Sequence, residues 1–214
     1  MPIAAIFPAL ARDEVFRLET RRMWLRWPQV RDASAIARWV GKPCVALQTS
    51  TFSVGMQKAE VEKKIEAMRH SDATGRSLGF VLTLKGRDDN PVGMAGAHQR
   101  DDGAIELGYH LDPAVWNQGL MTEALSRIAE MVFVLTPAPE IMAGVRPDNL
   151  ASRRVLEKVG FTADGGYEHE SPLYGRFAVK RYRLARQRTS PLFNAMERHG
   201  RELPKLAFDL GGRI

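Results

Sequence analysis

The alternation of apolar and polar positions along the chain predicts where its strands lie. Short runs of apolar and β-branched residues, which are typical of strands, occur at 23–27, 78–85, 92–99 and 104–111. The last three runs are separated only by the short polar turns "GRDDNP" and "RDDG". Because strands joined by such short turns pair with their neighbours along the chain, we expect an antiparallel meander here.

Helices are predicted where apolar residues recur at intervals of three and four. Segments 32–40 and 58–70 show this spacing before the meander. After the meander the same spacing runs from Gly119 to Leu135, where "TPAP" ends it. The last helix follows "RPDN" and should stop at Gly160, because glycine suits the left-handed position after a helix.

These elements combine into one domain of the α/β (α+β) class. A strand at 140–145 separates the two later helices, and Tyr167 together with 177–184 indicates a closing hairpin. A strand, a helix and a strand in succession form a crossover, so 104–111 and 140–145 should be parallel neighbours. The order β-α-α-β-β-β-α-β-α-β-β therefore predicts a mixed, largely antiparallel central sheet with helices on both faces.

Length and composition fit a single domain with terminal extensions. The chain has 214 residues, and no apolar run approaches the roughly 20 residues that span a bilayer. We expect an N-terminal arm at 1–16, the domain at 17–186 and a C-terminal tail at 187–214 that is partly helical or disordered. The arm lacks the basic start of a signal peptide, and the single Cys44 excludes an internal disulfide. Both features favour a cytoplasmic protein that does not contact a membrane.

The net charge of +6 comes from local basic runs such as "RLETRRMWLRW" and "GRFAVKRYRLARQR". A solvated basic face, a polyanionic cofactor and nucleic acid are all compatible with that balance. Within "RRMWLRWPQVR" the tryptophans of a first strand are better explained by packing than by stacking on bases, so we do not expect nucleic acid as a partner.

The stretch "DPAVWNQGLMTEA" at 112–124 raises the question of a phosphate site. It contains one glycine, Gly119, and leads directly into the longest predicted helix. The first turn of a helix offers about four backbone N–H groups without an intrahelical partner, and the helix dipole is positive there. The stretch is therefore compatible with phosphate binding and also with an ordinary helix start that is capped near Asn117.

Two consecutive motifs resemble those of the GCN5-related N-acetyltransferases (GNAT). They are "ELGYHLDPAVWNQGLMTEAL" and "AGVRPDNLASRRVLEKVGF", and they are most similar to the RimJ/RimL-like branch of ribosomal-protein N-terminal acetyltransferases. The resemblance spans about Trp24 to Arg186. Trp116 stands at the Arg or Gln position of the first motif, which this branch often allows. Met121 stands where Gly or Ala is usual and is a departure from the motif.

The resemblance implies a GNAT-like fold in which the parallel pair of strands splays apart around acetyl-CoA. Backbone N–H groups from Asn117 to Thr122 would hold the pyrophosphate, with Met121 tolerated if its side chain turns into the core or away from the phosphates. A bulge near Gly108 would free backbone groups for the pantetheine amides, and N–H groups nearby would hold the acetyl oxygen. The implied cofactor-binding residues are Leu107, Gly108, Tyr109, Leu111, Trp116, Asn117, Gln118, Gly119, Leu120, Met121, Thr122, Asn149, Ser152 and Arg153.

The implied catalytic residues are Glu106 and Ser152. Glu106 would take a proton from the substrate ammonium, directly or through water; the alternative is that Glu106 only forms an ion pair with an arginine. His110 could share the role of base, or it could be a hydrogen-bonded residue at the end of the strand. Asn149 would bind pantetheine or only cap its helix. Ser152 would donate to the departing thiolate, because Leu156 occupies the place where other branches carry a tyrosine; an exposed helical serine is the alternative.

The implied reaction is direct attack of a primary amine on acetyl-CoA within a ternary complex. The acceptor would be a protein or peptide N-terminus or a small amine, and a homodimer is compatible with the family. We expect no metal, since no His, Asp or Glu group has ligand spacing, and no role for Cys44, which is distant in sequence from both motifs. The alternatives are a GNAT-like protein that binds acyl-CoA without catalysis and a basic nucleic-acid-binding module.

Overall fold

The computed structural model describes residues 4–8 and 17–186. These residues form an α/β domain in which every predicted strand and helix is present. Two elements were not predicted, because the strand β1 (Arg17–Glu19) and the helix α2 (Pro43–Ala46) are too short to show a period. The predicted tail and residues 1–3 and 9–16 of the predicted arm lie outside the described residues.

The remaining elements keep the predicted order. The strands are β2 (Met23–Arg26), β3 (Ser77–Leu84), β4 (Pro91–Gln99), β5 (Ile105–Leu111), β6 (Glu140–Val145), β7 (Thr162–Ser171) and β8 (Gly175–Ala185), and the helices are α1 (Ala33–Val40), α3 (Lys58–Ala73), α4 (Leu120–Leu135) and α5 (Leu150–Val159).

The strands form one sheet in the order β1-β2-β3-β4-β5-β6-β8-β7. All neighbouring pairs are antiparallel except β5 and β6, which confirms the predicted crossover. β5 and β6 pair only at Glu106 and Met142, so the two strands diverge beyond that point. The predicted bulge near Gly108 is absent, because β5 keeps an unbroken register with β4 from Gly93–Leu111 to Gln99–Ile105. The opening therefore comes from the divergence of β6 and not from a distortion of β5.

Both faces of the sheet are covered, as the sequence pattern predicts. On one face α4 and α5 pack against the larger core cluster, with Leu125 and Leu156 fully buried. On the other face α1 and α3 enclose a second cluster that includes Trp39. β3 contributes to both clusters, since Leu82 faces one and Val81 faces the other. Within the described residues no helix is long and apolar enough to span a bilayer.

The ends of the last helix fix the geometry around the open edge of the sheet. Asn149 caps α5, because its side-chain Oδ1 accepts a hydrogen bond of 3.0 Å from the N–H of Ser152. Gly160 follows α5 with a φ of 105°, and the buried Phe161 packs behind it, as the sequence predicts. The first turn of α5 is therefore held in place before any ligand binds.

Part of the predicted N-terminal arm belongs to the core. Phe7 is buried, and its N–H donates to the carbonyl of Gly75 at 3.1 Å. A Cβ at Gly75 would lie only 2.7 Å from the carbonyl oxygen of Phe7, so a side chain does not fit there. At the other end of the domain, the guanidinium of Arg186 donates to the carbonyls of Phe133, Thr136 and Ala138, which ties the last described residue to the end of α4.

Candidate functional site

A cavity of about 1040 Å³ opens where β5 and β6 diverge. Its walls come from β5, the start of α4, the start of α5, residues 44–51 and the β7–β8 hairpin. A volume of this size accommodates a drug-sized or cofactor-sized ligand. The cavity therefore brings the two sequence motifs together with segments that lie far from them in sequence.

The turn before α4 is shaped by two residues in left-handed conformation. Asn117 has a φ of 61° and Gly119 a φ of 73°. α4 begins at Leu120, and no side chain among the described residues caps it. The N–H groups of Leu120, Met121 and Thr122 consequently lack intrahelical partners and lie at the positive end of the helix dipole. This arrangement can bind a phosphate through the backbone.

The apolar side chains of this turn leave its N–H groups accessible. Leu120 and Met121 are 2% and 5% exposed and belong to the core. Met121 therefore turns inward, which is the condition under which we expect it to be tolerated. Trp116 lies at the cavity wall, where its indole N–H donates to the carbonyl of Leu111 at 2.8 Å. Thr122 also lines the cavity.

Arg22 and Glu123 hold this turn from behind, a contact that the sequence did not reveal. The guanidinium of Arg22 donates to the carbonyl of Gln118 at 2.8 Å and to the carboxylate of Glu123 at 2.7 Å. Burial acts to raise the pKa of Glu123, but hydrogen bonds from Thr20 and Arg22 outweigh it, and the pKa lies below its ordinary value. Gln118 is thus part of the support and does not line the cavity.

Tyr109 and Ser152 meet across the cavity. Their side-chain oxygens are 2.6 Å apart, and either hydroxyl can be the donor. Burial raises the pKa of Tyr109 well above its ordinary value, so the phenol stays protonated at neutral pH, although the hydrogen bond with Ser152 opposes the shift. The sequence assigned only backbone groups to Tyr109. The contact with Ser152 could have been suspected, because the Tyr109 hydroxyl lies on an otherwise apolar face of the strand and a buried hydroxyl needs a hydrogen-bond partner.

Glu106 lies on the face of β5 opposite to Tyr109. It forms the ion pair that was the alternative to its role as a base. Its Oε2 is 3.1 Å from the guanidinium of Arg100 and 3.7 Å from Nε2 of His98. Its Oε1 faces Gly144, where an added Cβ would lie 3.1 Å from Oε1 and 2.9 Å from the hydroxyl of Tyr167. Burial raises the pKa of Tyr167, and the charge of Glu106 adds to that effect. The absence of a side chain at Gly144 therefore keeps space open beside Oε1.

Three further residues are placed differently from the sequence expectation. Cys44 lines the cavity, although it is remote from both motifs in sequence. Arg153 lies outside the cavity and donates to the hydroxyl of Tyr182 at 3.2 Å, whereas Arg154 lines the cavity. His110 packs edge-on against Phe52, and burial lowers the pKa of its imidazole to about 4. His110 is therefore neutral at neutral pH.

The other residues implied by the motifs lie where their elements place them. Gly108 borders open space, since a Cβ there would meet no atom within 4 Å. Leu107 is 3% exposed and points into the core, so only its backbone is available to a ligand. Among residues 4–8 and 17–186 no group of three or more His, Cys, Asp and Glu side chains is arranged to hold a metal ion.

The chain matches known proteins over most of this domain. Residues 22–162 match the family described as "Acetyltransferase (GNAT) domain". A probable N-acetyltransferase of Bacillus subtilis, YjcK, is 41% identical over 81 residues, which cover 36% of this chain and 45% of that protein. An uncharacterized N-acetyltransferase of the same organism, YoaA, is 29% identical over 153 residues, which cover 69% of this chain and 84% of that protein. The chain thus spans less than half of YjcK but most of YoaA.

Solved structures share the fold. RimJ of Mycobacterium smegmatis in complex with a CoA disulfide has a TM-score of 0.70 at 22% identity, covering 86% of this chain and 94% of that one. RimL, a ribosomal L7/L12 α-N-protein acetyltransferase in complex with coenzyme A, has a TM-score of 0.68 at 18% identity, covering 79% and 98%. The chain belongs to the GNAT family of acetyltransferases and is an acetyl-CoA-dependent N-acetyltransferase.

Proposed function

We propose that the cavity between β5 and β6 transfers the acetyl group of acetyl-CoA to the primary amine of a peptide or protein N-terminus, with small amines as the second acceptor class. The attack is direct and takes place in a ternary complex. One observation carries the proposal: the divergence of β5 and β6 exposes the bare start of α4, the Tyr109–Ser152 pair and Glu106 to a single cavity. We place the chain in the RimJ/RimL-like branch, which both motifs and the shared fold support.

The residues on one side of the cavity fit acetyl-CoA. The uncapped start of α4 offers backbone donors to a pyrophosphate, and Arg154 lies on the same cavity surface. β5 has no strand partner on its β6 side beyond Glu106, so its peptide groups there are available to amides of an extended ligand. The open space beside Gly108 gives such a ligand room to approach. When bound, acetyl-CoA supplies the activated thioester, and the chain supplies position and proton transfer.

Glu106 serves as the base in this proposal. Arg100 and His98 hold Oε2, which leaves Oε1 directed at the space above Gly144. An ammonium that enters that space can lose its proton to Oε1 directly or through a water molecule. A peptide α-amine titrates near 8, so a carboxylate can act on it more easily than on a lysine amine that titrates near 10.4. This difference favours an N-terminal amine as the acceptor.

Ser152 serves as the proton donor to the departing thiolate, and Tyr109 supports it. The hydroxyls are 2.6 Å apart, so the protonated phenol of Tyr109 can donate a hydrogen bond to Oγ of Ser152 while the Ser152 proton moves to the thiolate. A proton from solvent then restores the Ser152 hydroxyl. The cap by Asn149 fixes the first turn of α5 and thereby the position of Ser152. Asn149 also borders the cavity and can bind the pantetheine arm, as the family resemblance implies.

Three broader expectations remain proposals. The division into an arm, a domain at 17–186 and a tail follows the sequence pattern. A cytoplasmic location rests on the single cysteine, and a homodimer rests on the family resemblance alone. No observation on the described residues favours a noncatalytic acyl-CoA-binding protein or a nucleic-acid-binding module.

Release of the CoA thiol tests the proposal when acetyl-CoA is offered with a panel of amidated peptides and small amines. We expect turnover with peptide N-termini and a loss of about 10²-fold in kcat/KM for Glu106→Gln. The exposed helical Glu66 provides a matched control, and Glu66→Gln should leave the rate unchanged. Acetyl-CoA binding without turnover of any amine would support the noncatalytic alternative. Unchanged rates in both Glu106→Gln and Ser152→Ala would show that these residues are assigned wrongly.

A further inference from the structure

Arg146 lines the acceptor side of the cavity, and the proposed chemistry does not use it. Arg146 directly follows β6 and lies two residues after Gly144. Positions two residues apart along a strand lie on the same face of the sheet, so Arg146 lies on the face of Gly144. Its carbonyl accepts a hydrogen bond of 3.0 Å from the N–H of Asn149, which fixes the turn between β6 and α5. The backbone at Arg146 is therefore held in place at the end of the diverging strand.

The guanidinium of Arg146 lies over an aromatic ring, and its Nε has no hydrogen-bond partner. Its central carbon lies 3.7 Å from the centroid of the Phe177 ring. Its Nε is buried without a hydrogen-bond partner, and within the described part of the chain Arg146 forms no ion pair. By contrast, Arg100 in the same cavity is engaged by Glu106 and Asp102. A guanidinium over an aromatic ring can still direct the N–H groups of its own plane outward, where they match a carboxylate.

The position of this guanidinium relative to Glu106 follows from the pairing of β6 with β8. Val179 of β8 lies against Gly144, where its Cγ1 is 3.0 Å from the position of an added Cβ, and Oε1 of Glu106 faces the same position. Phe177, two residues from Val179 on the same face of β8, carries the guanidinium of Arg146. Two residues of a strand span about 6.6 Å. The guanidinium of Arg146 is thus about one such step away from the space beside Oε1 of Glu106.

We propose that Arg146 and Phe177 form a subsite for a carboxylate carried by the amine acceptor. The inference rests on the proposed function, because the amine is taken to lie beside Oε1 of Glu106. A separation on the order of 6 Å fits an acidic side chain in the first two residues of a peptide better than the α-carboxylate of a free amino acid. The acceptor class is therefore a peptide N-terminus followed closely by Asp or Glu.

The test compares two peptides that differ only in this charge. Ser-Glu-Ala-Gly amide and Ser-Gln-Ala-Gly amide both lack a C-terminal carboxylate, and free serine and serinamide form a second pair. We expect a KM for the Glu peptide that is about tenfold lower than for the Gln peptide. Arg146→Gln should raise the KM for the Glu peptide about tenfold and leave the KM for the Gln peptide within about twofold. Arg87→Gln, at an exposed turn outside the cavity, is the matched control and should preserve the preference.

Each outcome separates the subsite from the proposed function. Equal KM values for the two peptides in the wild type, or an equal rise of both in Arg146→Gln, would overturn the subsite while turnover upholds the transferase. A preference for serine over serinamide that Arg146→Gln removes would assign the subsite to the α-carboxylate of free amino acids. Acetyl-CoA binding without turnover of any of the four acceptors would overturn the proposed function itself. Acetyl-CoA affinity and the melting temperature show whether Arg146→Gln is folded.

Discussion

The two walls of the cavity are built in different ways. The cofactor wall consists of the turn at 117–122, Tyr109 and the start of α5, and its main groups are backbone N–H groups and hydroxyls. All of them come from the continuous stretch 105–159. The acceptor wall consists of Glu106, His110, Arg146, residues 44–51 and the β7–β8 hairpin, and its main groups are charged and aromatic side chains.

The difference shows which part of a site local sequence can encode. A helix start offers its N–H groups whatever the rest of the chain does, so the phosphate-binding turn of the cofactor wall is a local property. The acceptor wall joins Glu106 and Arg146 of the same stretch to residues 44–51 and the β7–β8 hairpin, so it forms only where distant segments meet. The hydroxyl of Tyr174 at the hairpin tip donates to the carbonyl of Phe52 at 2.7 Å, and the ring of Phe52 packs against His110. We therefore expect changes in the two walls to affect different measured quantities.

The largest expected effect comes from the hydroxyl pair of the cofactor wall. Ser152→Ala removes the group next to the departing thiolate, and we expect kcat to fall by about 10²-fold or more. Tyr109→Phe should lower kcat by about tenfold, because Ser152 keeps its hydroxyl but loses the hydrogen-bonded donor behind it. Steady-state kinetics with saturating acetyl-CoA measure both. Ser34→Ala, on the exposed side of α1, is the control, and an unchanged kcat in Ser152→Ala would remove Ser152 from the chemistry.

A second effect concerns stability and pH in the acceptor wall. Burial lowers the pKa of His110 from 6.5 to about 4, so the unfolded chain binds more protons than the folded chain between these values. The free energy of unfolding should therefore fall as the pH drops from about 6.5 to about 4, by at most about 3 kcal/mol from this residue. Denaturant unfolding across this range should show a shallower dependence in His110→Gln.

The control for this prediction is His70, which is exposed on α3. His70→Gln should keep the full pH dependence of the wild type. If His110→Gln and the wild type lose stability equally between pH 6.5 and 4, the His110 ring is hydrated and the acceptor wall is more open than the packing against Phe52 indicates.

A smaller effect is expected from the left-handed residue of the phosphate turn. Gly119→Val forces a β-branched residue to a φ of 73°, and the resulting backbone strain should shift the turn. A steric clash is not the cause, since an added Cβ would come no closer than 3.7 Å to Arg22. We expect the KM for acetyl-CoA to rise about tenfold with little change in kcat. Gly86→Val, at a φ of 81° in the β3–β4 turn outside the cavity, carries a similar strain and should leave that KM unchanged. Equal KM values for the two variants would remove the turn at Gly119 from the cofactor site.

The order of elements was predictable because long apolar runs and helical periods survive in the final packing. The crossover of 104–111 and 140–145, the stop at Gly160 and the cap at Asn149 were all confirmed. The prediction of a bulge at Gly108 was wrong. The register of a strand is set by its pairing with the neighbouring strand, and a glycine within the strand does not determine it.

The site was predictable only where a motif lies on one element. The position of Met121 in the core follows from its place on the buried face of α4. The contact of Arg22 with Glu123 joins residues 101 positions apart, and no local sequence pattern predicts it. The same holds for Arg146 and Phe177, whose contact needs the pairing of β6 with β8. Side-chain clusters of this kind become visible only when the topology is known.

The most direct measurement is a crystal structure of this chain with acetyl-CoA bound. We predict pyrophosphate oxygens within about 2.7 to 3.2 Å of the N–H groups of Leu120, Met121 and Thr122, with the Met121 side chain still in the core. We also predict the acetyl group between Glu106 and Ser152, at the point where β5 and β6 part. A pyrophosphate held elsewhere, or a Met121 side chain that covers these N–H groups, would contradict the backbone-built cofactor wall.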